Sequence, residues 1–389
     1  MNTTTLTNEG TLRVTKNATI PLPGTFTNST SSVVSGNGNF YIEQDWVNDA
    51  IFNANNSSVY LYGDSEQFIT STNGTVTEFN NLILTGNGSG NNKKKTLQNI
   101  DTRISTNGNL QINNRELATG TNQLIVLNNS ENAISNNQTP GVEGFVSSLP
   151  NGYLNWSTNS TNTYLFPVGS SDGTSRYRPV TITPSSNDLN VYSARLNNTS
   201  GDTYGYNLSQ HDSQIEELNS LFFHSIEQEV PGYNASVAIA HSPAQDQTWT
   251  SLAQWDFIQN NWNSLVPVDN STIGNYNSIV KSDWNFSNPA HPYILVNLVD
   301  ELNIPNVFTP NQDGANDTYL VSGKGITEYT IVILNRWGNV VFESNDITDP
   351  WDGTSKGTPC VEGVYFYSIK AKSINKEYSK QGYITLNAN

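Results

Sequence analysis

The chain predicts an all-β fold: a β-solenoid-like region over residues 1–170, a β-sandwich over 171–301 and an immunoglobulin-like sandwich over 302–389. Three observations point there. Charged residues make up 13% of the sequence, about half the usual ~25%, so Asn, Ser, Thr and Gln supply the polarity. These side chains compete with the backbone inside helices and suit turns, while the abundant Thr, Val, Tyr and Ile fit pleated strands. Short apolar runs recur between clusters of turn residues, and 389 residues call for roughly two to three cores.

From Thr11 to Leu127, apolar anchors at Phe40, Val59, Leu82, Ile104 and Leu124 follow one another at 19, 23, 22 and 20 residues. A near-constant period of that size predicts stacked solenoid coils, each unable to bury its apolar face alone. An antiparallel sandwich of similar strand spacing is the alternative. The Asn-Gly pairs that begin at Asn37, Asn73, Asn87 and Asn107 are expected to take positive φ where the coils turn. A Gly/Ser/Asp loop near Gly169 to Ser175 marks a domain boundary. Beyond it, runs at Val180–Ile182, Val191–Leu196, Leu221–Ile226, Ser236–Ala240 and Tyr293–Leu298 predict the strands of a second domain, a sandwich by default.

Net charge is −16, and basic residues gather only at Lys93, Lys94 and Lys95. Nucleic acid is not expected as a partner. The three lysines, on a Gly/Asn-rich stretch, are expected to form a solvated loop. Cys360 is the sole cysteine, so no intrachain disulfide and no N-terminal lipid attachment are expected. No apolar run approaches the ~20 residues of a membrane span. Residues 1–20 lack the charged and apolar segments of a signal peptide, so the sequence is expected to begin at a mature N-terminus.

In the last segment Tyr329, Ile331 and Ile333 alternate with Thr330, Val332 and Leu334, which predicts a core strand covered on both faces. Trp337-Gly338-Asn339 supplies a hairpin turn, and Val364 to Tyr367 reads as another two-faced strand. About seven short strands in this length suit an immunoglobulin-like sandwich.

The same segment carries five blocks in order. Ile304 to Tyr319 reads I-P-N-V-F-T-P-N-Q-D-G-A-N-D-T-Y, and Ile331 to Ser344 reads I-V-I-L-N-R-W-G-N-V-V-F-E-S. Trp351-Asp352-Gly353-Thr354, Gly363 to Tyr367 and Gly382 to Leu386 follow. Together they resemble the gliding-motility-associated C-terminal (CHU_C) domain, the type B sorting domain of type IX secretion. Gln312 stands where that family usually has Gly, and Pro359 to Glu362 is a less common approach to the next strand. Upstream, Phe166-Pro167-Val168-Gly169 and Tyr177-Arg178-Pro179-Val180 resemble a junction in surface proteins of the same secretion class.

The resemblance implies export across the outer membrane after periplasmic transit, to the cell surface or beyond. Its expected partners are an outer-membrane shuttle barrel of the PorV type and a translocon of the SprA type. Docking is expected at Thr309, Pro310, Asn311, Asp313, Gly314, Asn316 and Asp317 in one loop, and at Gly382, Tyr383, Ile384, Thr385 and Leu386 in a terminal strand that could offer an edge. Ordinary sandwich architecture is the alternative for both. Residues 302–389 hold 7 Lys+Arg against 9 Asp+Glu, a net −2 beside −14 for the rest, and a nearly neutral patch is easier to desolvate.

Other chemistry is sparse. The loop Asn311 to Asp317 lacks the Glu that an EF-hand needs at position 12, where Ser322 stands; a tight Asx/Gly turn is expected, with a calcium site of another geometry as the alternative. His211, His224, His241 and His291 have no i, i+4 pair for zinc. Nucleophile elbow, P-loop and dinucleotide motifs are missing. Asp45, Asp49, Asp64 and Asp101 stand isolated, and Arg103 and Arg115 lack carboxylate partners at coil spacing, against what a solenoid polysaccharide lyase needs. Neither enzyme activity, metal nor cofactor is therefore expected. Trp249, Trp255 and Trp262, with Trp284 nearby, stand among amides that suit sugar rings; core packing is the alternative. The expected function is a non-enzymatic surface or adhesin-type protein linked to gliding motility, followed by a carrier that binds surface glycans and then by a polysaccharide-degrading enzyme.

Overall fold

The computed structural model describes residues 4–285, 291–299, 301–373 and 376–387. Two compact units divide the chain: residues 1–211 with 218–296, and residues 212–217 with 297–389. Among the described residues the chain is all-β apart from single short turns of helix.

The first unit opens with the expected solenoid. Each early coil lays down three strands, as in Gly24–Asn28, Val33–Gly36 and Asn39–Ile42, and successive coils pair in parallel on three sheets. Inward positions stack: Phe40 faces Val59 and Val59 faces Leu82, all at most 1% exposed. The anchor series then slips. Leu82 pairs with Leu110, whereas Ile104 pairs with Phe79 and Val126, across a bulge between Phe79 and Asn81. Leu124 in turn faces Thr102 and Leu154. The long strands Thr77–Leu84 and Thr102–Asn113 thus each serve two inward columns, because the extra residues of these coils are absorbed as added strand length.

Turns differ from expectation for a physical reason. Of the four Asn-Gly pairs, Gly74 takes a positive φ of 78°, while Gly38, Gly88 and Gly108 do not. At those three a Cβ would sit 2.6, 2.4 and 1.9 Å from a carbonyl oxygen of a neighbouring coil. Close coil-to-coil approach, not left-handed backbone, demands glycine there. Left-handed turns fall elsewhere, to glycines such as Gly86 and Gly120 and to asparagines such as Asn17, Asn55, Asn99 and Asn113, whose short amides tolerate that conformation.

Parallel stacking ends at Tyr153–Thr158. That strand pairs in parallel with Gln123–Val126 on one side and antiparallel with Asn190–Asn197 on the other, so the open end of the solenoid is closed by another strand. The same 14-stranded sheet continues through Phe223–Gln228, His291–Leu298, Ser251–Asp256 and Asn261–Ser264. Facing it is a five-stranded antiparallel sheet: Tyr164–Phe166, Val180–Pro184, Asn234–His241, Tyr276–Asn285 and Asp269–Ile273. One hydrophobic cluster runs from Val14 in the solenoid to Leu295 in the last strand.

The second unit is organised on a five-stranded sheet. Its order is Val307–Phe308, Glu377–Leu386, Gly363–Ser373, Ile326–Leu334 and Val340–Ser344. One face packs Ile331, Ile333, Ile369 and Ile384 against Phe308, Tyr319 and Trp351. Among the described residues the opposite face is only partly covered, contrary to the two-faced reading: Thr330 is exposed, Val332 and Leu334 are half-exposed, and Val364 and Phe366 are 47% and 48% exposed.

Candidate functional site

The second unit holds the expected docking residues. Its Trp-Asp-Gly-Thr block works as a clasp: Tyr319 and Trp351 exchange backbone N–H bonds of 2.8 and 2.9 Å. The buried indole packs 5.1 Å from both Phe308 and Tyr365 and donates to the Thr354 carbonyl. This clasp fixes both ends of the loop that holds Thr309 to Asp317. Within the loop the Thr309 N–H donates to the Asn316 carbonyl at 2.8 Å. The Asp317 carboxylate accepts from the N–H groups of Gln312 and Gly314, and Asp313 accepts from Ala315. Asn311 accepts from the Asp313 N–H, while Pro310 is half-buried. It is an Asx/Gly turn whose carboxylates bind the loop's own backbone. Gln312 has φ 63°, the left-handed region that favours glycine, so this side chain carries a conformational cost.

The terminal strand is less open than an edge would be. Gly382 to Leu386 pair with Tyr367 to Gly363 on one side, and Thr385 and Leu386 also pair with Val307 and Phe308 on the other. Ile384 and Leu386 are buried, and Tyr383 is 57% exposed. A Cβ at Gly382 would lie 2.5 Å from the Tyr367 hydroxyl, so any larger residue there requires the Tyr367 side chain to shift.

Sequence reasoning missed an apolar outer face. Cross-strand register lines up Val340, Leu334, Phe366 and Tyr383 in one row, with Val364 beside it. At the hairpin that starts this row, Gly338 takes φ 81° and pushes Trp337 out to 73% exposure, where the Arg336 guanidinium lies 4.5 Å from its ring centre. A cavity of about 580 Å³ runs between Trp337, Val361 and Phe366.

In the first unit, Trp249 and Trp262 are 3% and 0% exposed, and their indoles donate to the Asp246 and Tyr206 carbonyls. Trp255 is 3% exposed and packs 5.3 Å from Trp262. The structure brings these three into the core and leaves Trp284 half-exposed beside a separate cavity of about 570 Å³. His224 is wholly buried, its pKa pushed down to about 4 by desolvation, and its Nε2 pairs with the Arg178 carbonyl.

The solenoid aspartates are isolated from one another yet share one task. Asp45, Asp49, Asp64 and Asp101 each accept the backbone N–H of a residue one coil on: Phe68, Thr72, Asn87 and Gln123. Lys95 overturns the solvated-loop expectation. It points inward at 0% exposure and donates to the Gly63 carbonyl at 2.8 Å and to Gln67 Oε1. Alternation along Lys94–Gln98 could have revealed this, since Lys95 shares the parity of Leu97.

Among the described residues no group of three His, Cys, Asp or Glu is placed to hold a metal ion, and no helix is long and apolar enough to cross a membrane. Residues 302–386 match the CHU_C type IX secretion signal domain. No curated protein and no solved structure matches the chain. The C-terminal segment is thus a type IX secretion sorting signal, which supports export to the cell surface or the exterior.

Proposed function

We propose that this chain is an adhesin-type surface protein without enzymatic activity, carried through the periplasm and across the outer membrane and linked to gliding motility. The single observation that carries the reading is the sorting domain at residues 302–386. In this reading a PorV-type shuttle barrel and a SprA-type translocon engage that domain through the loop Thr309 to Asp317 and the end of the strand Gly382 to Leu386. The exposed row Val340, Phe366 and Tyr383 supports it, because an uncovered apolar face on a sorting domain suits a partner that binds by desolvation. We read the second unit as immunoglobulin-like and the two facing sheets of the first unit as a sandwich. In the non-enzymatic reading the four solenoid aspartates have a structural task, since each staples one coil to the next. Glycan binding is the second reading, favoured by the cavity beside Trp284.

The test is deletion of residues 302–389 in the native host, with fractionation of periplasm and cell surface. The truncated protein should remain in the periplasm while the parent reaches the surface. Equal surface arrival of the two would defeat the sorting role.

A further inference from the structure

The cavity beside Trp284 lies where the hairpin formed by Ser251–Asp256 and Asn261–Ser264 meets the end of Tyr276–Asn285 from the facing sheet. Among the described residues its lining includes Gln254, Asp256, Asn263, Phe257, Trp284 and His291. Hairpin register sets Gln254 opposite Asn263, so two amides and the neighbouring Asp256 share one face of the strands. The other face turns Trp255 and Trp262 into the core.

Each wall has a defined chemistry. Trp284 is half-exposed and packs against the core cluster, with its indole N–H tied to the Tyr293 hydroxyl at 3.0 Å and the Lys281 ammonium 5.6 Å from its ring centre, so the ring is held and its exposed part is what a ligand can reach. Phe257 is 41% exposed and its ring centre lies 5.5 Å from that of His291. The Asp256 carboxylate accepts from the N–H groups of Ile258 and Gln259 and from the Asn263 amide, and those bonds hold its pKa below the ordinary value. It is therefore a fixed anion with remaining acceptor capacity.

We infer that this cavity binds a neutral glycan chain, with sugar rings lying on Trp284 and Phe257 and their hydroxyls bonded by Asp256, Gln254 and Asn263. Aromatic surfaces beside a few convergent polar groups, in a cavity within the ~300–1,000 Å³ typical of ligand sites, are the observations that carry it. Charge selects the class. The Lys281 ammonium over Trp284 is bonded to the Pro267 carbonyl, while the ionised Asp256 in the wall and a net charge of −16 disfavour uronate and sulfate chains; sugar hydroxyls donate to Asp256 at no such cost. The inference rests on the second reading above, glycan binding at the cavity beside Trp284, and it names the class of glycan.

The full purified chain, titrated calorimetrically with cellohexaose, laminarihexaose, mannohexaose and xylohexaose and with oligogalacturonate as the anionic probe, tests this. At least one neutral probe should bind, and oligogalacturonate should not. Trp284→Ala should weaken binding by ~10-fold, and Phe257→Ala, on a turn where the side chain is 41% exposed, by ~3-fold or more with an unchanged melting temperature. Tyr60→Ala, which alters a solenoid side chain outside the cavity, should bind as the parent does. No binding to any neutral probe, preference for oligogalacturonate, or full affinity in Phe257→Ala would each overturn the assignment. Failure here leaves the export assay untouched, and failure of export leaves this titration untouched, so the two readings are separable.

Discussion

Lys95 is a base enclosed in the solenoid, and its proton should govern how the stability of the first unit varies with pH. Burial, joined by the charge of Arg115 and opposed by that of Asp64, lowers its pKa from 10.5 to about 8. In the unfolded chain the amine returns to its ordinary value. Between those two values the unfolded chain holds the proton and the folded chain does not, so stability rises with pH, by up to ~1.4 kcal/mol per unit of pH. From pH 7.5 to 9.5 the gain comes to about 2 kcal/mol. Lys95→Met keeps the side-chain length and removes the titrating group. The Tm of the parent should therefore climb relative to the variant by about 4 °C across that window, at ~2 °C per kcal/mol for a large unit. The window stops at pH 9.5 because burial raises the phenol pKa of Tyr153, Tyr177 and Tyr293. Unfolded phenols ionise near pH 10 while these stay neutral, so stability falls above that point. Scanning fluorimetry of both proteins at five pH values is sufficient. A constant Tm difference would refute the buried-amine argument, whatever the sign of that difference, since the lost bonds to Gly63 and Gln67 offset the relieved burial to an extent the slope does not depend on.

Three further outcomes are expected. Asp246→Ala strips the carboxylate that accepts from the side chains of Arg176 and Arg178 and from the Ser242 N–H, leaving two buried guanidiniums without a counter-charge. The cost is about 3–5 kcal/mol, a Tm drop of ~6–10 °C, while Glu328→Ala, at the exposed pair with Lys372, should cost less than ~1 kcal/mol; similar Tm values for the two would defeat the network. Asn28→Ala breaks a buried ladder in which Asn8 donates to Asn28 and Asn28 to Asn48, each 20 residues on. It orphans the Asn48 acceptor for about 1–3 kcal/mol, readable in chemical denaturation, and an unchanged midpoint would show the ladder to be redundant. Gln312→Gly should raise the melting transition of the second unit by relieving the left-handed residue, worth about 0.5–1 kcal/mol after the entropy of glycine is counted; calorimetry showing a lowered transition would mean the Gln side chain is held by a partner.

Much of the architecture was legible because it depends on local chemistry. Asn, Ser and Thr between β-branched runs specify strands and turns wherever the chain goes, and a period near 20 residues specifies coils because each must bury its face on the next. The C-terminal blocks were legible for the same reason: the Gly-Asn hairpin after Trp337 and the Asp-Gly turn at Asp313 set their own backbone. Less of the candidate sites could be read. Clustered tryptophans mark an aromatic region, yet strand parity sends Trp255 inward while Gln254 and Asp256 line the cavity, and Trp284 reaches that cavity from another sheet.

By itself the sequence determined the fold class, the solenoid and the sorting signal, since composition, period and short motifs act through neighbours a few residues or one coil away. Tertiary structure decided which residue of one coil meets which of the next. Coil length varies, so Ile104 leaves the column of Leu82 for that of Phe79, and Asn8, Asn28 and Asn48 align into a ladder only while the length holds at 20. It decided that Lys95 lies inside, because an ammonium is tolerated there only with Gly63 and Gln67 already in place to accept its protons. It also decided that the outer face of the sorting domain keeps Phe366 48% exposed, for among the described residues no strand of that unit packs over it, and whether an apolar face is covered depends on where the other strands of the unit are laid.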